Sequence, residues 1–220
     1  MSSPVFIIAC DRSGTTLLRL ILNQSKSLYI LQETGFLATL RNHKEIYGDF
    51  SKGYQRHFFI RDLQTNKANS RGYSFSRLEL TVEEAEAALA QFSPTDYPGA
   101  ASILFELSAR KQGKQRWGDK TPRYIFDLKW LQKAYPTAKF IHLIRDGRDV
   151  AVSLIKAGWA KNFISAAHYW KKRVDLGRKA GQNMKTDQYY ELRYEQLVID
   201  PRNTLTNLCS WLGVDYTESM

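Results

Sequence analysis

Residues 4–24 read PVFIIACDRSGTTLLRLILNQ, and the fold turns on how this stretch divides. Pro4 to Ala9 is continuous, apolar and rich in β-formers, as a short buried strand should be. Cys10-Asp11-Arg12-Ser13-Gly14 is a polar turn. Thr15 to Gln24 is leucine-rich and too long for another core strand, so a helix is expected there. Strand, tight glycine turn and helix together form a cradle for phosphate. Backbone N–H groups point at the anion, and the helix N-terminus adds about half a positive charge. Against the pattern GxxxxGK[ST], Ala9 replaces the first glycine and Thr15 replaces the lysine. The ammonium that reaches β/γ-phosphates is therefore missing, and Arg12 supplies a cation earlier in the loop. A nucleoside triphosphate with Mg²⁺ fits poorly. A phosphate–sulfate or diphosphate group without metal fits better; an ordinary strand-to-helix turn with hydroxyl caps is the plainer alternative.

Outward from this stretch, Leu28 to Leu31, Phe140 to Ile144 and Tyr189 to Tyr194 read as further short strands. Helical patterns fall between them. Thr81-Val82-Glu83-Glu84 is a capping box opening a helix to about Phe92. Thr121-Pro122 starts another that stops before Pro136, and Asp200-Pro201 a third that ends at Gly213. Ala160 to Lys185 is long, basic and expected to be helical. Strands separated by helices predict an α/β fold: a three-layer, P-loop-like domain with a central, mainly parallel sheet flanked by helices. Residues 1–220 are read as one domain. The stretch at about 36–99, rich in Arg, Tyr, Phe and Asn, is read as an insertion over one end of the sheet that shapes an acceptor site.

At 220 residues the chain suits one domain with a sizeable core. With 43% hydrophobic and 25% charged residues it is neither disordered, collagen-like nor a disulfide scaffold. The longest apolar run, Val5 to Cys10, is far short of the ~20 residues that span a bilayer, and no export signal is visible, so a soluble, cytoplasmic chain is expected. Cys10 and Cys209 follow no metal spacing, which makes reduced thiols the default. Charge is the outlier: 32 Lys+Arg against 22 Asp+Glu gives +10, which predicts an anionic partner. The run Lys171-Lys172-Arg173 reads first as a solvated helix face and second as a nucleic-acid patch.

Arg12-Ser13-Gly14-Thr15-Thr16-Leu17 resembles the 5′-phosphosulfate loop of sulfotransferases that use 3′-phosphoadenosine 5′-phosphosulfate (PAPS). The segment FIHLIRDGRDVAVS, residues 140–153, resembles that family's 3′-phosphate site, where an Arg ends a strand and a Ser follows eight residues later on a helix; Arg145 and Ser153 have this spacing. An Arg and a hydroxyl suit the 3′-phosphate through charge-assisted hydrogen bonds. QRWGDKTP, residues 115–122, resembles the family's Lys-Thr-Pro segment. Arg193 to Val198, with Asp200-Pro201-Arg202, resembles the tyrosylprotein branch. Two departures stand out. Met220 comes soon after Trp211-Leu212-Gly213, where many members continue with a segment that closes over the nucleotide. Ala157 stands where the tyrosylprotein branch has an Arg, with Lys156 beside it as a partial substitute.

The resemblance implies sulfonate transfer from PAPS to a hydroxyl by in-line displacement, with 3′-phosphoadenosine 5′-phosphate (PAP) as product and no metal required. Glu33 is the implied base, with a strand-end cap or an ion pair to Arg12 as its structural alternative. His43 and His142 are rival bases, though His142 sits in an apolar strand and suits the core better. Lys120 is implied to reach the bridging oxygen or sulfonate; Asp119 beside it reads as a structural partner or helix cap. Arg12, Ser13, Gly14, Thr15 and Thr16 would hold the 5′ end and Arg145 with Ser153 the 3′-phosphate; Tyr194 would contact the nucleotide, with core packing as the equal alternative. The tryptophans are more often core than binding platforms; Trp159, just past Ser153, is the best candidate neighbour of adenine. The acceptor is a peptide tyrosine, a small phenol or alcohol, or a sugar; no membrane partner is expected, nucleic acid is disfavoured, and a homodimer is left open. The competing readings are a P-loop nucleotide kinase-like enzyme and a nonenzymatic anion- or nucleic-acid-binding domain.

Overall fold

The computed structural model describes residues 3–41, 47, 49–65 and 75–220. Five strands form one sheet: β1 (Val5–Ala9), β2 (Leu28–Gln32), β3 (Arg116–Lys120), β4 (Lys139–Ile144) and β5 (Tyr189–Arg193). Their order is β2-β3-β1-β4-β5, and every pairing is parallel. Helix α1 (Thr15–Leu22) follows β1. Between β2 and β3 lie α2 (Phe36–Leu40), α3 (Gly53–Gln64), α4 (Val82–Phe92) and α5 (Tyr97–Lys111). A 3₁₀ turn (Pro122–Phe126) and α6 (Leu128–Ala134) lead to β4. Helices α7 (Gly147–Lys156) and α8 (Phe163–Gly181) join β4 to β5, and α9 (Tyr194–Ile199) and α10 (Pro201–Leu212) follow.

The apolar run of β1 is buried on both faces, and successive side chains divide between two cores. Phe6 and Ile8 join Leu31, Trp117, Phe140 and the α3–α5 side. Val5, Ile7 and Ala9 join Ile30, Ile141, Leu143 and the apolar faces of α1 and α10. This gives the three layers that the alternation of strands and helices predicts. Cys10 and Cys209 are buried free thiols.

Strand β3 has no counterpart in the sequence reading. Its residues RWGDK look polar, yet all five are buried. Their polar groups find partners far along the chain: Arg116 donates from Nε to the Ser3 carbonyl at 2.5 Å and from Nη1 to the Leu212 carbonyl at 2.6 Å. At Gly118 a Cβ would stand 2.6 Å from the Val5 carbonyl oxygen, so the strand reaches its central place only with glycine there.

The remaining elements fall close to expectation. Both hydrogen bonds of the Thr81–Glu84 capping box form. The helix expected from Thr121-Pro122 instead begins as the 3₁₀ turn and becomes α-helical only from Leu128. The run Lys171-Lys172-Arg173 is only partly a solvated face. Lys171 and Lys172 are exposed, but Arg173 turns inward, stacks on Tyr169 at 3.2 Å and faces Asp11 at 3.5 Å.

The connection leaving β1 runs toward β2 and that leaving β4 runs toward β5. The crevice between the C-terminal ends of β1 and β4 is therefore the topological switch point, where open parallel sheets form their sites.

Candidate active site

The loop after β1 carries two left-handed residues, Arg12 at φ 69° and Gly14 at φ 93°. A glycine meets the second demand freely; it is also sterically required, since a Cβ on Gly14 would stand 2.5 Å from the Tyr194 ring. Gly14 caps α1 with no side-chain hydrogen bond to the first turn, so those N–H groups face the loop without a side-chain partner. Ser13 is fully buried, and its Oγ has no hydrogen-bond partner. A buried orphan hydroxyl beside a helix N-terminus is costly unless an incoming acceptor satisfies it.

Arg145 follows β4. Its guanidinium lies 4.7 Å from the Tyr194 ring centroid and 3.3 Å from Asp149, while its buried Nε has no partner. The Trp170 indole donates to the Arg145 carbonyl at 3.0 Å, and Glu195 accepts the Asp146 N–H at 2.8 Å. These bonds fix the turn that opens α7. On α7, Ser153 accepts from Arg12 Nε at 3.0 Å. The two phosphate-type motifs, 141 residues apart, thus meet across the switch point. Tyr194 touches both, through Gly14 and through Arg145.

Glu33 and Lys120 lie at the ends of β2 and β3, and the Glu33 N–H continues the ladder to the Lys120 carbonyl at 2.9 Å. Lys120 is fully buried and pairs with Glu33 Oε1, so the ion pair weighed for Glu33 forms with Lys120 and not with Arg12. Lys120 Nζ also lies 3.5 Å from the Thr16 hydroxyl at the start of α1. Glu33 has φ 32°; with Arg12 it makes two of the four left-handed non-glycine residues among those described. Strain of this kind persists where the surroundings over-determine it, as binding sites do.

Beneath this pair lies a knot that the sequence reading missed. Asp119 is fully buried and accepts from the Thr34 hydroxyl, the Thr34 N–H at 3.4 Å, the Thr121 hydroxyl at 2.9 Å and the Tyr124 hydroxyl at 3.0 Å. Burial pushes its carboxyl up to about 6 against the pull of those hydrogen bonds. Asp119 is the structural partner expected of it, and it ties the residue after Glu33 to the residues flanking Lys120. Asp11 is held likewise: it accepts from Tyr169 at 2.6 Å on α8.

The rival bases fare differently. His142 is fully buried in β4, bonded through Nδ1 to the Tyr189 hydroxyl at 2.6 Å, and burial lowers its pKa to about 4. It is a core residue. His43 lies outside the described residues. Trp159 sits in the loop after α7 with 54% of its surface exposed.

The site offers cations, hydroxyls and free N–H groups at two separate centres. That donor set suits a ligand carrying two anionic groups. Among the described residues no helix is long and apolar enough to cross a membrane.

Comparison with known proteins identifies the family. A protein-tyrosine sulfotransferase of Drosophila melanogaster is 21% identical over 222 residues, covering 98% of this chain and 39% of that protein. An omega-hydroxy-beta-dihydromenaquinone-9 sulfotransferase of Mycobacterium bovis is 33% identical over 108 residues, 43% of this chain and 28% of that protein. The chain therefore spans well under two thirds of these relatives. Among solved structures, the sulfotransferase domain of the Synechococcus PCC 7002 olefin synthase matches with a TM-score of 0.67 at 28% identity, over 100% of this chain and 77% of that one. The profile of the sulfotransferase family matches residues 4–218, which include both phosphate-type motifs, Glu33 and Lys120: the chain belongs to the sulfotransferase family.

Proposed function

We propose that this chain is a single catalytic domain that moves a sulfonate group from PAPS to a hydroxyl acceptor. The observation that carries the reading is the contact of Arg12 with Ser153. It joins a phosphate cradle lacking the P-loop lysine to a second anion-binding pair, which a nucleoside triphosphate would not need.

PAPS supplies an activated sulfonate; the rest falls to the protein. Arg12, Ser13, Thr15, Thr16 and the α1 N-terminus hold the 5′ end, and Arg145 with Ser153 the 3′-phosphate. The orphan polar atoms of Ser13 and Arg145 favour this assignment, since an anion gives each a partner. Tyr194 packs beside both centres. Lys120 places its ammonium where charge grows on the leaving bridging oxygen. Glu33 takes the proton from the acceptor hydroxyl as the new O–S bond forms. In a loose in-line displacement, positioning and charge stabilisation carry most of the acceleration.

The acceptor class stays broad: a peptide tyrosine, a small phenol or alcohol, or a sugar. The fly relative is named for protein tyrosine and the mycobacterial one for a hydroxylated dihydromenaquinone. The segment at about 36–99, helical in most of its described part, is taken to shape that side of the site.

The test is transfer of ³⁵S-sulfonate from labelled PAPS to a panel of phenols, alcohols, sugars and tyrosine peptides, in EDTA. Label on at least one hydroxyl class supports the reading. Label transferred only when ATP and Mg²⁺ replace PAPS as donor, followed with ³²P, would transfer support to the kinase-like reading.

A further inference from the structure

We infer that the loop between α7 and α8, with the first turn of α8, is a docking surface for an anionic lipid bilayer. The observations are independent of the sulfonate-transfer reading. From Val150 to Val174 the chain has no Asp or Glu, while it carries the exposed Lys156, Lys161 and Lys172; Lys171 pairs with Asp175 and Arg173 turns inward. Such an acid-free run of 25 residues stands out in a chain with 22 acidic residues. The same segment gathers four of the chain's exposed large apolar residues: Val152 at 41%, Trp159 at 54%, Phe163 at 63% and Ile164 at 71% exposure.

Apolar side chains left this open cost free energy in water unless something covers them. Phe163 and Ile164 project from the first turn of α8, which Asn162 caps. Trp159 stands on the preceding loop, after Gly158 at φ 72°. Between α7 and the start of α8 runs an open groove of about 530 Å³ whose walls include Val152, Phe163 and Trp170. Lys156 and Lys161, both exposed, flank the loop on either side. Bulky apolar and indole groups at the tip, with lysines behind them, are what an interfacial membrane contact needs: the rings enter the headgroup boundary and the ammonium groups meet lipid phosphates.

Charge complementarity decides the occupant. A second copy of this face would bring lysines against lysines. An anionic bilayer meets both the apolar tip and the cations. The surface also lies near the loop after β1, because Lys156 is only about 4.5 Å of helix rise beyond Ser153, which touches Arg12. Docking there would hold the mouth of the site beside the lipid surface.

The experiment is co-sedimentation of the full chain with vesicles of phosphatidylcholine alone and of phosphatidylcholine with 30% phosphatidylglycerol. Wild type should bind the anionic vesicles at least about tenfold more tightly than the neutral ones. The triple variant Trp159→Ala, Phe163→Ser, Ile164→Ser keeps the net charge and changes only exposed side chains, so its melting temperature should match wild type. It should lose about tenfold or more in vesicle affinity. Lys156→Glu with Lys161→Glu should weaken binding more than the equally charged pair Lys129→Glu with Lys133→Glu on α6. Three results would overturn the inference. One is triple-variant binding equal to wild type, which leaves only diffuse attraction by a +10 chain. Another is equal loss in both charge pairs. The last is absence of vesicle binding, with or without a dimer that the triple variant dissociates.

Discussion

Glu33 and Lys120 neutralise each other across the ends of two neighbouring strands, and this pairing sets what either residue does. Lys120 is buried with Glu33 and the Thr16 hydroxyl as its polar neighbours. Glu33 is more open, so an acceptor hydroxyl approaches the carboxylate and not the ammonium. If Glu33 is the base, Glu33→Gln keeps the shape and the hydrogen bond to Lys120 but removes proton affinity. Turnover should fall about 10²–10⁴-fold, the usual contribution of a positioned base, while PAP affinity changes little. Turnover, PAP affinity and melting temperature measured on one preparation separate this from a structural role, which predicts a lower melting temperature first and activity lost only in proportion. Residue by residue, local chemistry was legible. The Arg12 loop could be picked out from its own strand, turn and helix, whereas Glu33, Lys120 and the Arg145–Ser153 spacing could be picked out through the family resemblance of their short segments. The partner of Glu33 could not be picked out, since Lys120 is 87 residues away and no local pattern records that β3 lies beside β2.

At the scale of elements, Asp119 does the joining. Its hydrogen bonds link the turn after β2 to the turn after β3, so the Glu33–Lys120 geometry depends on them. Buried with no cation as its direct partner, this carboxyl is pushed up to about 6, from roughly 3.9 when unfolded. The native state therefore binds more protons than the unfolded state between about pH 4 and 6. The resulting stability is fully present below about pH 4 and is lost as pH rises through 6, on the order of 3 kcal/mol in all. Asp119→Asn removes this dependence. In urea unfolding between pH 4.5 and 7.5, the stability of wild type relative to Asp119→Asn should decline with pH and level off above about 6.5. A difference independent of pH would show that Asp119 does not titrate in that window. The same residue explains why β3 was missed. RWGDK carries three charged side chains and a glycine, and strand patterns are recognised by apolar or alternating runs. Its burial depends on acceptors and donors supplied by Ser3, Thr34, Tyr124 and Leu212, which no reading of the segment alone can supply. By contrast, β1 carries its own evidence, because a strand buried on both faces is apolar throughout.

At the scale of the whole molecule, the parallel order β2-β3-β1-β4-β5 brings five strand ends to one edge, and every residue assigned to the site lies at or just beyond that edge. The +10 charge finds two outlets: the cations at the switch point and the lysines that flank the loop between α7 and α8. The central claim is that the switch-point crevice recognises a 3′-phosphorylated nucleotide without metal. Calorimetric titration of wild type and Arg145→Ala with PAP, ADP and ATP, all in EDTA, tests it most directly. Wild type should bind PAP in the micromolar range or tighter, and more tightly than ATP. Arg145→Ala should weaken PAP by about 10- to 100-fold, the worth of a charge-assisted hydrogen bond of roughly 1.5–3 kcal/mol, and leave ADP nearly unchanged because it has no 3′-phosphate. ATP binding as tight as PAP, or an equal loss of PAP and ADP in Arg145→Ala, would contradict the account.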